Sequence, residues 1–190
     1  MSGRRWLRRL LPASLVLILA VFPASRAAAA PCTGVNCYRY YADITITAWT
    51  DPSIPVFPGS THYYTVRVTN TGWRTGGASV PTPGLGPDSG DVYVVFQPSS
   101  PEEYPVARAD YTGYAFTGAP FRCYGYLGNG LVCHTESIPN GTTSQFTVAF
   151  QAPRTVGSHT LTTYADTYGW TEYDENNNSL TLTYQVGYLA

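Results

Sequence analysis

Short runs in which apolar and polar residues alternate with a period of two constrain this chain more than any other feature. The clearest covers residues 62–70, where Tyr64, Val66 and Val68 fall on one face of a predicted strand. Comparable runs occupy residues 42–48, 91–96, 144–150, 160–165 and 180–186. Gly, Pro and Asn separate the runs, and no stretch keeps the 3.6-residue period of an amphipathic helix. The pattern predicts an all-β fold, an antiparallel β-sandwich of about seven to nine strands.

The last two runs are predicted to pair as a closing hairpin, joined by a polar loop over residues 166–179. Asn177 and Asn178 stand where this loop re-enters the sheet, so we expect their side chains to bond nearby backbone groups. We favour a structural role for the loop, with its carboxylates solvated. The alternative is a calcium site, because carboxylate and amide oxygens are calcium ligands. Its candidate ligands are Asp166, Glu172, Asp174 and Glu175.

Residues 1–30 have the layout of a signal peptide. Four arginines (Arg4, Arg5, Arg8 and Arg9) precede an apolar stretch over residues 10–22, and small residues offer a cleavage site near Ala29 or Ala30. The apolar stretch is shorter than the ~18 residues expected of a membrane helix. We therefore expect a secreted protein that is not anchored in the membrane. It would comprise a short N-terminal segment, residues 31–41, and a single domain over residues 42–190.

The charge of the exported part restricts its partners. After loss of residues 1–30, six arginines and no lysine would face twelve carboxylates, a net charge of −6. A chain without a basic patch cannot neutralise phosphates, which argues against nucleic acid and against an anionic membrane surface. The partners that remain are an extracellular protein or a glycan.

Four cysteines in an exported chain predict two disulfides. Three pairings are possible, and we favour the two local ones. Cys123 and Cys133 flank a Gly-Asn-Gly sequence at residues 128–130, a strong signal for a hairpin turn. Cys32 and Cys37 would then close a small loop that pins the N-terminal segment. A metal site is disfavoured, because the cysteines lack the paired spacing of zinc ligands.

Motifs for catalysis are missing from the sequence. It contains no Gly-x-Ser-x-Gly, no His-Glu-x-x-His and no glycine-rich phosphate loop. The three histidines, His62, His134 and His159, are expected on the surface of the sandwich. Glu102 and Glu103 are expected to form a solvated pair in a proline-rich loop. We therefore expect no enzymatic activity and no cofactor.

Aromatic residues are densest between residues 104 and 126. Tyrosines exposed together on one face would suit stacking on sugar rings or contact with a protein partner. The candidates are Tyr104, Tyr111, Tyr114, Tyr124 and Tyr126, with Phe116 and Phe121 beside them. The alternative, which we favour, is that these rings cover the core and a sheet edge.

Two segments of the chain resemble parts of known bacterial surface domains. Residues 58–72, PGSTHYYTVRVTNTG, look like a strand of bacterial Ig-like surface modules, and the ending over residues 166–178 resembles that of CARDB, the cell-adhesion-related domain found in bacteria. The cysteine hairpin is similar to that of a related group of conserved surface-repeat domains. The resemblance covers residues 42–186, although the domain occurs once and the Tyr-rich segment 97–126 is unusually long.

What the resemblance implies is an Ig-like sandwich at the bacterial cell exterior. Such a module would be non-catalytic and would serve binding, adhesion or structural spacing. The alternative is a carbohydrate-binding module that uses the tyrosines of residues 104–126. No particular partner follows from the resemblance.

Overall fold

A computed structural model of the chain describes residues 37–50, 55–76, 80–106, 111–112, 118–125 and 128–188. Thirteen strands lie within these ranges. They are β1 (Tyr38–Tyr41), β2 (Ile44–Trp49), β3 (Thr61–Asn70), β4 (Trp73–Gly76), β5 (Thr82–Pro83), β6 (Asp91–Pro98), β7 (Tyr104–Pro105), β8 (Tyr111–Thr112), β9 (Arg122–Gly125), β10 (Leu131–Thr135), β11 (Thr143–Gln151), β12 (Gly157–Tyr168) and β13 (Ser179–Val186). One 3₁₀ turn, Glu175–Asn177, precedes β13.

Two antiparallel sheets form an Ig-like β-sandwich. One has six strands in the order β13-β12-β6-β10-β9-β8, and the other has four in the order β2-β3-β11-β7. Two of these strands, β7 and β8, are only two residues long. The other eight match the predicted seven to nine strands, so the predicted fold class is confirmed.

The core lies between the two sheets, where every second residue of each long strand points inward. On β3, Tyr64, Val66 and Val68 are fully buried, as the alternation predicts. Phe96 from the six-stranded sheet meets Phe146 from the four-stranded sheet with their ring centroids 6.3 Å apart. Burial of each such side chain contributes roughly 1.5–3 kcal/mol to stability.

The closing hairpin forms in the predicted position. Strands β12 and β13 pair from Gly157 opposite Val186 to Tyr164 opposite Ser179. Strand β12 then continues along β6 to Tyr168. Asp166 therefore lies on a strand, and the prediction that it belongs to the loop is wrong. The reason is that Asp166 has an exposed side chain on the outer face, where a carboxylate costs the strand nothing.

A small third sheet corrects the prediction of a loop from Trp73 to Gly90. Strands β4 and β5 lie within this region. Strand β4 pairs with β5 and with β1, which comes earlier in the chain. Glycine permits this packing, because a Cβ added at Gly86 would lie 2.3 Å from the backbone of Gly72. These strands could not be predicted from the Gly- and Pro-rich sequence, since neither residue type favours strand formation.

The disulfide of the cysteine hairpin is present. Cys123 on β9 lies directly opposite Cys133 on β10, and the two are bonded. Cys37 is also disulfide-bonded, whereas Cys32 lies outside the described residues. The Cys32–Cys37 pairing therefore stays a prediction.

The proposed signal peptide and its cleavage site also lie outside the described residues. Within the part of the chain that the structure describes, no helix has the length and apolar character needed to span a membrane.

Candidate binding surface

The outer face of the six-stranded sheet carries a group of aromatic side chains from four neighbouring strands. We call this group the tyrosine face. Its members are Tyr93 on β6, Tyr124 on β9, Tyr164 and Tyr168 on β12, and His134 on β10. Strand register brings them together, because Tyr93 lies opposite His134 while Tyr164 and Tyr124 lie opposite adjacent valines.

Two valines form the floor of the tyrosine face. Val95 and Val132 point outward from the sandwich and lie opposite each other on β6 and β10, yet they are only 6% and 8% exposed. Tyr164 flanks the pair on one side and Tyr124 on the other. An outward-facing surface that buries apolar side chains under tyrosines is unusual for a sandwich strand, whose outer residues are normally polar.

Tyr93 and His134 stand side by side at the centre of this surface. Their rings are stacked with centroids 4.6 Å apart and planes 29° from parallel. The His134 Nε2 and an Asp91 carboxylate oxygen are 3.0 Å apart, which fixes the imidazole. The stacking covers one flat side of each ring.

Charged groups lie at the rim of the tyrosine face. Asp166 and Arg122 are exposed and lie in the same row of the sheet as Tyr93 and His134. The pKa of the Tyr93 hydroxyl is raised by partial desolvation and by the nearby Asp91, Tyr124 and Tyr168. The Tyr93 hydroxyl therefore remains a neutral hydrogen-bonding group at physiological pH.

The tyrosines singled out in the sequence do not form one surface. Tyr104 lies on β7, with an exposed side chain on the outside of the four-stranded sheet, whereas Tyr124 is exposed on the outside of the other sheet. Phe121 is buried in the core. Of the rest, the main chain of Tyr111 pairs with β9, and Tyr114, Phe116 and Tyr126 lie outside the described residues. Two exposed rings on opposite sides of a sandwich cannot contact the same ligand.

His62 and Glu103 were both expected at the surface, and both expectations are wrong. Glu103 is fully buried and His62 is only 4% exposed. His62 belongs to the inward-facing set of β3, two residues before Tyr64, so its burial was readable from the alternation. The burial of Glu103 carried no local signal. It depends on Asn129, whose amide donates to the backbone oxygens of Ser100 and Glu103 and holds the proline-rich loop against the core.

These residues form a polar cluster that joins three segments. The Tyr64 hydroxyl donates to Glu103 Oε1 at 3.0 Å, and His62 Nε2 lies 3.2 Å from the same oxygen. Tyr184 of β13 packs against His62, with ring centroids 4.7 Å apart. Burial, together with Glu103, raises the pKa of Tyr64 and of Tyr184. Neither Glu103 nor His62 is open to a substrate, so we assign the cluster a structural role.

Glu172 of the closing loop is also buried, contrary to the expectation that the loop carboxylates are solvated. Its Oε2 accepts a hydrogen bond from the backbone N–H of Ile44 at 3.0 Å, and the side chain is 7% exposed. Tyr173 N–H donates to the carbonyl of Ala42 beside it. Burial raises the Glu172 pKa to about 7, with a further contribution from nearby Asp43 and Asp166. The loop therefore covers the end of the free edge of β2.

Asn177 of the loop has a different partner from the predicted one. Asn177 donates to the Asp43 carboxylate at 2.9 Å and not to a backbone group. The other Asp43 oxygen accepts from the Trp73 indole at 2.7 Å. Asn178 is buried, and no described residue lies within hydrogen-bonding distance of its Oδ1. Its backbone oxygen, however, accepts from Ala165 N–H and continues the hairpin ladder.

The four carboxylates of the calcium alternative have different environments. Asp166 is exposed on the outer face of β12, and Asp174 caps the 3₁₀ turn by accepting from the Asn176 N–H at 2.9 Å. Glu175 is exposed, and only Glu172 points into the sandwich. Among the described residues, no group of three or more His, Cys, Asp or Glu side chains is placed to hold a metal ion.

Similarity to known proteins is found among solved structures. No protein-family model matches the chain, and no curated protein matches it. Among solved structures, the chain is similar to the CARDB domain of a Pyrococcus furiosus protein, a crystal structure in complex with di-metal ions. The identity is 17% over 77% of this chain and 94% of that one, with a TM-score of 0.46. The solution structure of that CARDB domain gives 16% identity over 77% and 95%, with a TM-score of 0.41.

A cohesin module from a Clostridium perfringens family 33 glycoside hydrolase is also similar, at 10% identity over 78% of this chain and 96% of that one, with a TM-score of 0.42. Two of these similar structures are of the CARDB domain, which the sequence also resembles. At such identities the similarity concerns the fold alone.

One signal in the sequence could have identified the tyrosine face. Residues 92–96, Val-Tyr-Val-Val-Phe, form a continuous apolar run and not a strict alternation. A run of this kind is typical of a strand whose two faces are both covered. The inner face of β6 is covered by the core, so the outer face of the same strand is the place to look for a partner.

Proposed function

We propose that this protein is an exported, non-catalytic Ig-like module that binds a protein partner through the tyrosine face. The observation that carries the proposal is the difference between the two outer faces of the sandwich. The outer face of the four-stranded sheet carries hydrogen-bonded polar pairs such as Thr65–Thr147 and Arg67–Gln145. Its exposed rings, Trp49, Tyr63 and Tyr104, lie opposite Thr65, Ala149 and Gln151 and not opposite one another. On the six-stranded sheet, by contrast, the tyrosine face groups aromatic rings from four adjacent strands over a valine floor.

A protein suits this surface better than a sugar does. Flat stacking on a sugar ring needs an exposed aromatic face, whereas Tyr93 and His134 each use one face against the other. Tyrosine and arginine are enriched where protein interfaces gain most of their affinity, with charged groups at the rim. The tyrosine face has this composition, since Asp166 and Arg122 lie beside its aromatic centre.

Export and the lack of catalysis are supported by separate observations. The Cys123–Cys133 disulfide is typical of proteins that fold outside the cytosol, and residues 1–30 have the layout of a signal peptide. For catalysis, the His62–Glu103 pair is buried. The partly exposed His134 has Asp91 as its described partner, with no hydroxyl or thiol nucleophile among the described residues hydrogen-bonded to it.

The test is a binding comparison between two tyrosine variants and a matched control. Tyr168 and Tyr124 are 67% and 41% exposed on the tyrosine face, so Tyr168→Ala and Tyr124→Ala should fold normally. Tyr104 is 51% exposed on the opposite side of the sandwich, and Tyr104→Ala removes a comparable ring there. Each protein would be immobilised and offered the protein and polysaccharide fractions of the cell envelope of its source. Captured proteins would be purified and their affinities measured by calorimetry.

We expect a purified partner protein whose affinity falls roughly tenfold or more in each tyrosine-face variant and is unchanged in Tyr104→Ala. Equal binding by all three variants would place the interface elsewhere. Retention of the polysaccharide fraction, with no protein bound, would replace the proposal with the carbohydrate-binding alternative.

A further inference from the structure

Strand β13 is the longest edge strand of the described sandwich, ahead of β2 with six residues. Strand β13 has eight residues, Ser179–Val186, with no charged residue and no proline. Natural sheets blunt such edges with charge, proline, bulges or very short strands, because unpaired backbone groups recruit other strands. The far edges of the sheets follow this rule, since β7 and β8 have two residues each and β7 ends in Pro105. The edge of β2 is capped where Glu172 accepts from Ile44 N–H.

The register shows which backbone groups of β13 have no backbone partner among the described residues. Asn178 accepts from Ala165 N–H, so the pair Ala165–Asn178 is hydrogen-bonded, and every second pair along the antiparallel ladder repeats this geometry. Leu180, Leu182 and Tyr184 therefore direct their N–H and C=O groups toward β12. Those of Ser179, Thr181 and Thr183 point the other way, to the free edge. Toward the end of the strand Val56 covers the edge, where its carbonyl accepts from Gly187 N–H.

We propose that this edge pairs with the same edge of a second copy of the chain, in an antiparallel arrangement centred on Thr181. In that register Thr181 lies opposite its own copy, and Thr183 lies opposite Ser179 of the second molecule. All three residues present N–H and C=O outward, so each opposed pair is a hydrogen-bonded pair of the antiparallel ladder. The two six-stranded sheets join into one continuous sheet across a two-fold axis.

The lack of charged side chains on β13 allows a second copy of this acidic chain to bind at this edge. The exported chain has a net charge of −6, so two copies repel each other over much of their surfaces. Residues 176–190 contain no charged side chain, which makes β13 a place where two copies can meet without like charges opposite each other.

The side chains match a self-pairing as well. Those of Ser179, Thr181 and Thr183 are exposed on the outer face. Cross-strand threonine pairs already occur in this protein, as Thr162–Thr181 at 3.2 Å and Thr69–Thr143 at 2.8 Å between hydroxyl oxygens. Self-pairing of β13 extends the Thr162–Thr181 row by one more threonine from the second copy, and such pairs stabilise a sheet.

The experiment is sedimentation of the exported chain, produced with its disulfides, from micromolar to millimolar concentration. Thr181→Lys places two like charges opposite each other across the two-fold axis. Thr181→Pro removes an N–H that the hairpin itself does not use, so both variants should fold. Thr162→Lys is the matched control, because Thr162 lies opposite Thr181 on the same face, one strand in from the edge.

We expect reversible dimers for the wild type and for Thr162→Lys, and association roughly tenfold or more weaker for both Thr181 variants. Hydrogen exchange at the amides of Thr181 and Thr183 should slow as the wild-type concentration rises. A wild type that stays monomeric to millimolar concentration would overturn the proposal. So would a dimer that persists in both Thr181 variants, since it would use another surface.

Discussion

Two buried glutamates lie toward opposite ends of strand β3 and have different neighbours. Glu103 lies near the start of the strand, where Oε1 accepts from the Tyr64 hydroxyl and lies 3.2 Å from His62. Glu172 lies near its end, where Oε2 accepts from the Ile44 backbone N–H. The second oxygen of each carboxyl has no hydrogen-bond partner among the described residues. The two glutamates therefore differ in the groups that surround the hydrogen-bonded oxygen of each carboxyl.

The surroundings decide how each carboxyl is tolerated. Glu103 faces an imidazole that can carry a positive charge and a phenol that can donate, both from β3. Glu172 has the negative groups of Asp43 and Asp166 nearby, and burial raises its pKa to about 7. A buried acid is thus stabilised either by donors or by taking up a proton. Donors join parts of the sandwich through hydrogen bonds, whereas the uptake of a proton depends on pH.

The largest expected loss of stability comes from placing a carboxyl in the core where no donor is near it. Val66 is fully buried in the middle of β3, among apolar side chains. We expect Val66→Asp to abolish cooperative folding, because an unpaired charge in the core costs more than a domain of this size can lose. Circular dichroism during thermal unfolding would show no transition.

The control for this change is the next residue. Arg67 is exposed on the outer face, where it bonds Gln145 and lies over the Trp49 ring. Arg67→Ser should melt within a few degrees of the wild type, because an exposed contact of this kind contributes little. Similar melting temperatures for the two variants would contradict the assignment of the two faces of β3.

Glu103→Ala should have the next largest effect. It removes the acceptor for the Tyr64 hydroxyl and leaves the His62 ring without its acidic partner in a buried site. We expect a loss of about 3–5 kcal/mol in the free energy of unfolding, the range seen when one partner of a buried pair is removed. Chemical denaturation measures this directly.

Glu102→Ala provides the comparison within the same loop. Glu102 is exposed, and its pKa is lowered by the backbone N–H groups of Arg154 and Thr155. Its removal should cost much less than that of Glu103. If the two variants lost the same stability, the burial of Glu103 would have no energetic importance.

The long strands could be predicted from the sequence because their signal is local. Alternation places Tyr64, Val66 and Val68 on one face whatever the rest of the chain does, and tertiary packing then confirms it. The Gly-Asn-Gly turn between Cys123 and Cys133 sets their pairing in the same local way. The strand β4 could not be predicted, because it forms through contacts with residues 38–41 and depends on the close approach of Gly72 and Gly86.

The site was harder to predict, because it depends on register between strands distant in sequence. Tyr93 and His134 lie 41 positions apart and meet only through the pairing of β6 with β10. The density of tyrosines along the sequence drew attention to residues 104–126, yet the fold places Tyr104 and Tyr124 on opposite sides. The burial of Glu103 depends likewise on Asn129, from a different loop. Local composition does not determine any of these contacts.

The smallest expected effect is a gain in stability, from Glu172→Gln. In the unfolded chain this carboxyl has a pKa near 4.5, and in the folded protein a pKa of about 7. Between these values the folded state binds more protons than the unfolded state, so the wild type loses stability as pH rises from 4.5 to 7 and stays constant above. The variant keeps an amide oxygen for the Ile44 N–H but carries no charge. It should avoid this loss and be more stable than the wild type by roughly 2–3 kcal/mol at pH 8.

The measurement is chemical denaturation of both proteins at acidic pH and at pH 8. The two should agree at acidic pH, where Glu172 is protonated in both folded and unfolded wild type, and diverge as pH rises from 4.5 to 7. Glu175→Gln, which changes an exposed carboxyl in the same loop, is the matched control. If Glu172→Gln were instead less stable than the wild type at pH 8, the folded protein would hold Glu172 ionised. A positive partner at Oε1 would then be required, and the calcium alternative for this loop would regain support, to be tested by a rise in melting temperature with added calcium.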